Sequence, residues 1–203
     1  MKHVYYTSLA FGSESEAGVM RAHLRTEAYL REVEKEGKCK VTVIREGLYN
    51  ESWPLYLGYW EPKADERDEV VVAGDGKVSW TSIADLGLGT ALVLTDEGAK
   101  WEGRTFYLSN PPEMARTLEE IAELVGEMRE KGVTVRKVGR EEYVEGYVGR
   151  GKERDTVEWW SSSYEALERG ECEIADGTLG ELLGRRGVKA KGFEETVREM
   201  CGV

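Results

Sequence analysis

Several things are scarce in this 203-residue sequence, and each scarcity removes a class of protein. No apolar run approaches the roughly 20 residues that a membrane-spanning helix requires, so a helical span is not expected. The three cysteines, Cys39, Cys172 and Cys201, are far apart and include no CxxC pair. That argues against a disulfide framework or a zinc site and predicts reduced thiols in a cytoplasmic protein. Base is scarcer than acid, with 28 Lys+Arg against 39 Asp+Glu and a net charge of −11. Such a surface repels phosphate backbones, so no nucleic-acid partner is expected. The N-terminus lacks the apolar core of a signal peptide, and neither repeats nor low-complexity segments occur.

What is present is a globular composition, 40% apolar and 33% charged, long enough for a real core. The run Val4-Tyr5-Tyr6-Thr7-Ser8-Leu9 ends at Gly12 and reads as a buried strand emptying into a loop. A helix is predicted from Val19 to Lys35, with Val19, Leu24, Leu30 and Val33 on its inner face and Gly37 as its stop. Val41 to Ile44 is the next strand. Strand, helix and strand at these lengths make a parallel βαβ unit.

Beyond it, Tyr49 to Lys63 is aromatic-rich and broken by Pro54 and Pro62. Val70 to Ala73 reads as a strand, Gly74-Asp75-Gly76 as a tight turn and Lys77 to Thr81 as a returning strand. Ser82 is placed to cap a helix running to Leu94, and Thr105 to Leu108 is a further strand. Thr117 with Glu120 forms a capping box ahead of the stripe Leu118, Ile121, Leu124, Val125 and Met128, in a helix predicted to reach Lys131. Val133 to Val138 is a strand, and the acidic remainder is helical.

Two motifs match chemistry that their context forbids. Gly146 to Lys152 satisfies GxxxxGK, but Glu153 stands where a phosphate loop needs a hydroxyl for magnesium, and no strand precedes it. It reads as a surface connection. Tyr59 to Lys63 satisfies YxxxK, a spacing that aligns two side chains only on a helix, and Pro62 prevents one.

One ordered set of segments is more telling. Val4 to Gly12, Ala22 to Glu27, Val41 to Glu51, Ala73 to Lys77, Ser82 to Gly87, Gly103 to Ser109 and Thr178 to Met200 follow a single order and spacing. That order resembles the NmrA-like atypical short-chain dehydrogenase/reductase family, and within it the NAD(P)H-dependent quinone oxidoreductases. The resemblance implies an α/β fold, a partial Rossmann-type parallel sheet with a small C-terminal α+β lobe. The whole chain, 1–203, would form one domain, with 1–50 the βαβ unit and 51–203 the substrate lobe and C-terminal helices. It further implies an NADP or NAD cofactor and a quinone-like acceptor.

By the same resemblance Thr7, Ser8, Leu9 and Gly47 lie along the cofactor, and Glu46, Leu48, Tyr49 and Trp53 shape the substrate pocket. His23 and Ser8 are the candidate catalytic residues, since an imidazole at that position could donate to a hydroxyl or a developing oxyanion. A helix histidine bonded to the backbone or to Glu27, and a strand-end serine without catalytic duty, are the alternatives. Glu46 departs from the asparagine common in relatives: ionised, it only accepts hydrogen bonds.

The family's glycine-rich pyrophosphate turn has no counterpart in the sequence. Reduced or lost activity is therefore expected of this chain alone, with completion by an upstream or partner segment. A non-catalytic, dinucleotide-sensing regulatory module is the second reading, and an incomplete gene model the third. The strand at Val4 would then form an open sheet edge, for a second copy or a partner to cover.

Overall fold

The computed structural model describes residues 3–97 and 99–203. Strand β1 (His3–Leu9) leads through a loop into helix α1 (Met20–Lys35) and strand β2 (Lys40–Glu46). After a 3-10 turn at Asn50–Ser52 come α2 (Trp53–Tyr56), β3 (Glu69–Val72), α3 (Ile83–Thr95) and β4 (Thr105–Leu108). The chain continues through α4 (Leu118–Met128), β5 (Thr134–Lys137), α5 (Arg140–Val148), α6 (Arg154–Glu168), α7 (Thr178–Gly184) and α8 (Phe193–Cys201).

Two parallel sheets result, one in the order β1-β2-β4 and the other β3-β5. This is the expected α/β fold with parallel sheets. β2 is the central strand, and Val41 to Arg45 are buried, as befits a parallel strand covered on both faces. β1 pairs only with β2 among the described residues, and most of it is half-buried. β4, from the later part of the chain, completes this first sheet beside β2.

On one face of the first sheet Ile44, Phe106 and Leu108 pack with Leu86 and Val93 of α3 and Leu179, Leu182 and Leu183 of α7. The opposite face carries α1. A second, larger core gathers Trp53, Trp80, Ile121, Val125, Tyr143 and Tyr164 among the elements around β3. No helix among the described residues is long and apolar enough to cross a membrane.

Local signals in the sequence match the helix starts. Ser82 accepts the Asp85 N–H, and Thr117 and Glu120 make both bonds of the capping box. Gly37 takes φ 72° just past α1, where a side chain would be strained. Tyr59, at φ 55°, starts no helix.

Three expectations are corrected. Lys77 to Thr81 does not return alongside β3, which pairs in parallel with β5 instead. The Gly-Asp-Gly turn has another use: Asp75 accepts the Leu118 and Glu119 N–H groups at the start of α4. The following residues spread their bonds over Arg116, Cys172 and Leu48. The inner stripe of α1 also differs. Val19 and Leu24 reach the core, Leu30 and Val33 do not, and the fully inward residues are Met20 and Glu27. Finally, α4 ends at Met128, three residues short of Lys131, and Glu130 takes the left-handed φ of 54°.

Candidate functional site

Register places a polar row across the first sheet near its C-terminal end. Ser8 of β1 stands opposite Arg45 of β2, and Arg45 opposite Tyr107 of β4. Side chains alternate along a strand, so all three face α1. Glu27 comes down on them from that helix. Its carboxylate accepts the Ser8 hydroxyl at 2.6 Å and two guanidinium N–H groups of Arg45 at 3.1 and 2.7 Å. The remaining Arg45 nitrogen donates to Tyr107 (2.8 Å), to Ser13 (2.9 Å) and to the Phe11 carbonyl (3.4 Å). Burial pushes the Glu27 carboxyl up, but the bonds from Arg45 and Ser8 outweigh it and hold it below the usual range. The loop after β1 is thereby tied to β2 and β4.

Just beyond this row, past the C-terminal ends of β1 and β2, lies an apolar cavity of about 160 Å³. Leu9 and Phe11 form one wall and Gly47, Leu48 and Tyr49 another, while Tyr56 and Trp160 face them from the lobe. Ser52 adds a hydroxyl. A larger open cavity lies elsewhere, around residues 58–67. The smaller one is the candidate site, because ligands of open α/β sheets bind outside the carboxyl ends of the strands.

Four of the expected residues, Leu9, Gly47, Leu48 and Tyr49, meet at this cavity. Glu46 points the other way, toward α3, where Thr90 donates to its carboxylate at 2.8 Å. Burial raises its pKa, against the lowering effect of Thr90. Trp53 is fully buried in the core rather than lining the cavity. Thr7 is exposed, on the face of β1 opposite Ser8.

His23 and Ser8 share the α1 side of β1 but have different partners. His23 Nδ1 shares a hydrogen bond of 2.9 Å with the Tyr6 hydroxyl. Burial lowers its pKa, opposed by the nearby Glu27 charge. Neither residue lines the cavity.

Sequence reasoning did not single out Glu27, Arg45 and Tyr107 as a unit, nor Trp160 as a wall. The first three are brought together by strand register, which no local pattern encodes. Trp160 lies 111 positions after Tyr49 and meets it only through the fold.

No family model matches the chain. Over 191 residues it is 35% identical to the NmrA-like family domain-containing oxidoreductase flvB of Aspergillus flavus, covering 91% of this chain and 58% of that protein. Over 184 residues it is 24% identical to quinone oxidoreductase 2 of Escherichia coli, covering 91% and 60%. Among solved structures, Citrobacter sp. triphenylmethane reductase complexed with NADP(H) superposes with a TM-score of 0.77 at 28% identity, over 98% of this chain and 65% of that one. The Escherichia coli NADPH-dependent quinone oxidoreductase complexed with NADPH gives 0.78 at 23% identity, over 98% and 66%, a likeness of fold. The chain spans about three fifths of the length of the curated relatives it matches.

Proposed function

We propose that this chain, a homologue of NmrA-like oxidoreductases along nine-tenths of its length, is the substrate-side portion of an NAD(P)H-dependent reductase acting on a flat, quinone-type acceptor. The observation that carries the reading is the apolar, aromatic cavity at the ends of β1 and β2. At about 160 Å³ it is below the roughly 300 Å³ at which whole-ligand pockets begin, and it matches one ring rather than a dinucleotide.

The fit to the cofactor is therefore partial. Leu9, Gly47 and Leu48 present apolar surface to a single ring, and the cavity does not hold the nicotinamide and the acceptor ring together. Among the described residues no glycine-rich turn joins a strand to a helix N-terminus, so nothing here suits the pyrophosphate. When bound, the cofactor supplies hydride. This chain's residues exclude water from the ring with Phe11, Tyr56 and Trp160, and Ser52 and Tyr49 offer hydroxyls to an acceptor oxygen.

Ser8 and His23 act as positioning residues in this reading. Ser8 orients Glu27 and thereby Arg45 and the Phe11 wall, and His23 fixes Tyr6 on β1. The β1 edge is where the remaining parallel strands of such a reductase would pair, whether upstream or on a partner. Three separate free thiols suit a reducing, cytoplasmic setting.

The test is a titration of the chain with a fully substituted benzoquinone, followed by tryptophan fluorescence. Saturable quenching that is reduced in Trp160→Phe is expected, because Trp160 lines the ring site. Quenching unchanged in that variant and in Tyr56→Leu would place the ring elsewhere and end the reading. A parallel NADPH titration should show weak binding; tight saturable binding by this chain alone overturns the division between ring side and phosphate side.

A further inference from the structure

The segment Leu55 to Tyr59 serves two cavities. Leu55 and Tyr56 line the apolar one, whereas Gly58 and Tyr59 line an open cavity of about 580 Å³ between the 58–67 loop and the end of α5. The two cavities share no residue, and the second has the volume of an ordinary small-molecule site.

Its wall is stiff. The Asp65 side chain, 6% exposed, accepts the backbone N–H groups of Glu61 and Arg67 and the Arg67 guanidinium. Arg67 also donates to the Gly58 and Tyr59 carbonyls at 3.1 and 3.3 Å, and the Tyr147 hydroxyl donates to Gly58 at 3.0 Å. This scaffold holds Tyr59 in the left-handed region at φ 55°, a conformation unfavourable for a residue with a side chain.

Asp65 matches the Arg67 charge. Four other charges line the cavity without a partner: Arg150 and Lys152 on one side, Glu61 and Glu66 on the loop. None of their charged groups makes an ion pair or side-chain hydrogen bond among the described residues, and they do not pair with each other. Instead Lys152 Nζ sits 4.7 Å from the centre of the Tyr59 ring and the Arg150 guanidinium 5.1 Å from that of Tyr147. The two rings are 5.1 Å apart. Both motifs that fail as catalytic signatures contribute residues here, GxxxxGK through Arg150 and Lys152 and YxxxK through Tyr59 and Glu61.

A simple anion would gain the two cations but meet the two carboxylates, and a simple cation the reverse. A ligand with separated charges of both signs satisfies all four. We propose that this cavity binds a small zwitterion with an aromatic or apolar body, of the class of free aromatic amino acids and their dipeptides. Its carboxylate lies between Arg150 and Lys152, its ammonium group on Glu61 and Glu66, and its body against the half-buried Tyr59 ring, which the buried Tyr147 ring backs.

The experiment is calorimetric titration of the full chain with L-phenylalanine and with phenylalanyl-phenylalanine. N-acetyl-L-phenylalanine, L-phenylalaninamide and inorganic phosphate serve as single-charge probes. At least one zwitterion is expected to saturate, and each blocked form to bind about two- to fivefold more weakly, the scale of one exposed charge pair. The pairs Arg150→Ala with Lys152→Ala, and Glu61→Gln with Glu66→Gln, should each weaken binding by a similar factor. The Glu pair should leave Tm unchanged, since both side chains are exposed, and the Arg150/Lys152 pair should lower it slightly through the two lost cation–π contacts. Equal binding of the acetylated form or of phosphate makes this an anion site and overturns the proposal. So does unchanged affinity in the Glu61/Glu66 variant, or no saturation of either zwitterion below about 10 mM.

Discussion

Glu27 of α1 and Arg45 of β2 form a two-point ion pair, 3.1 and 2.7 Å, with side chains only 12% and 4% exposed. It is the junction of the first sheet, because Ser8, Ser13, Phe11 and Tyr107 all bond to one or other partner. Removing one partner leaves the other charge buried alone, which typically costs about 3–5 kcal/mol. Glu27→Ala and Arg45→Ala should each lower unfolding stability by that amount in urea denaturation. Glu27→Leu combined with Arg45→Met should cost far less than the sum of the singles, since neither charge is then stranded. A double variant as unstable as both singles added would show that the pair is not a unit.

Acid acts on this junction with a definite sign. The native Glu27 pKa lies below the ordinary 4.5, so its stabilisation is complete above 4.5 and is lost as pH falls through the lowered native value. Glu46 runs the opposite way. Burial raises its native pKa above 4.5, so the unfolded chain gives up that proton first and stability falls as pH rises from 4.5 toward the native value. Urea midpoints measured against pH should therefore fall less steeply on the acid side in Glu27→Gln, the remaining slope coming from Asp65 and Glu34, whose carboxyls are also held low. Glu46→Gln, which keeps an acceptor for Thr90, should gain on the parent as pH rises above 4.5. A Glu46→Gln curve parallel to that of the parent would contradict the raised pKa.

How far these features were legible in the sequence depends on their range. Thr117-Glu120 and Ser82 announce their helices because a cap is a bond between near neighbours. The strands and their α/β alternation are equally local. The pairing of β3 with β5 was not legible, since Gly74-Asp75-Gly76 carries the composition of a hairpin turn while Asp75 is spent on a helix 43 residues away. The inner face of α1 misled for a related reason: Glu27 and Arg31 look solvent-facing by type, yet Glu27 finds Arg45 and Arg31 finds the Arg104 carbonyl and Thr105. At the candidate site, the stretch Leu9 to Phe11 and the Gly47-Leu48-Tyr49 turn were foreseeable as strand ends, whereas Trp160 enters from α6.

The distant cap on α4 is itself testable. Asp75 accepts N–H groups of Leu118 at 2.7 Å and Glu119 at 3.2 Å, beside the local Thr117-Glu120 box. Loss of a side-chain cap costs about 0.5–2 kcal/mol. Asp75→Ala is expected at the upper end, because the Leu118 amide it abandons is partly buried. Asp75→Asn, which keeps one acceptor oxygen, should fall in between. Amide hydrogen exchange at Leu118 and Glu119 would report the change directly, and unaltered protection there would show that the box alone caps the helix.

Gly47 links stability to the cavity most tightly. A Cβ on Gly47 would lie 2.6 Å from Thr81 Oγ1 and 2.9 Å from Ser109 Oγ. Neither oxygen is free to withdraw: Thr81 Oγ1 accepts the Asn110 N–H at 2.9 Å, and both hydroxyls donate to the Ser79 carbonyl at 3.0 Å. The backbone is pinned as well, through the Gly47 N–H on the Leu108 carbonyl at 2.8 Å. Gly47→Ala should therefore cost about 1–3 kcal/mol, as over-packing does. Because Gly47, Leu48 and Tyr49 form one wall of the cavity, the same displacement should weaken quenching of Trp160 by the benzoquinone. Adding Thr81→Ala removes the closest clash but strands the Asn110 N–H, so the double variant should recover part of the stability, with a coupling of about 0.5–3 kcal/mol between the two positions. A Gly47→Ala protein that melts like the parent, or a double variant that is strictly additive, would show that the turn has room that its geometry does not indicate.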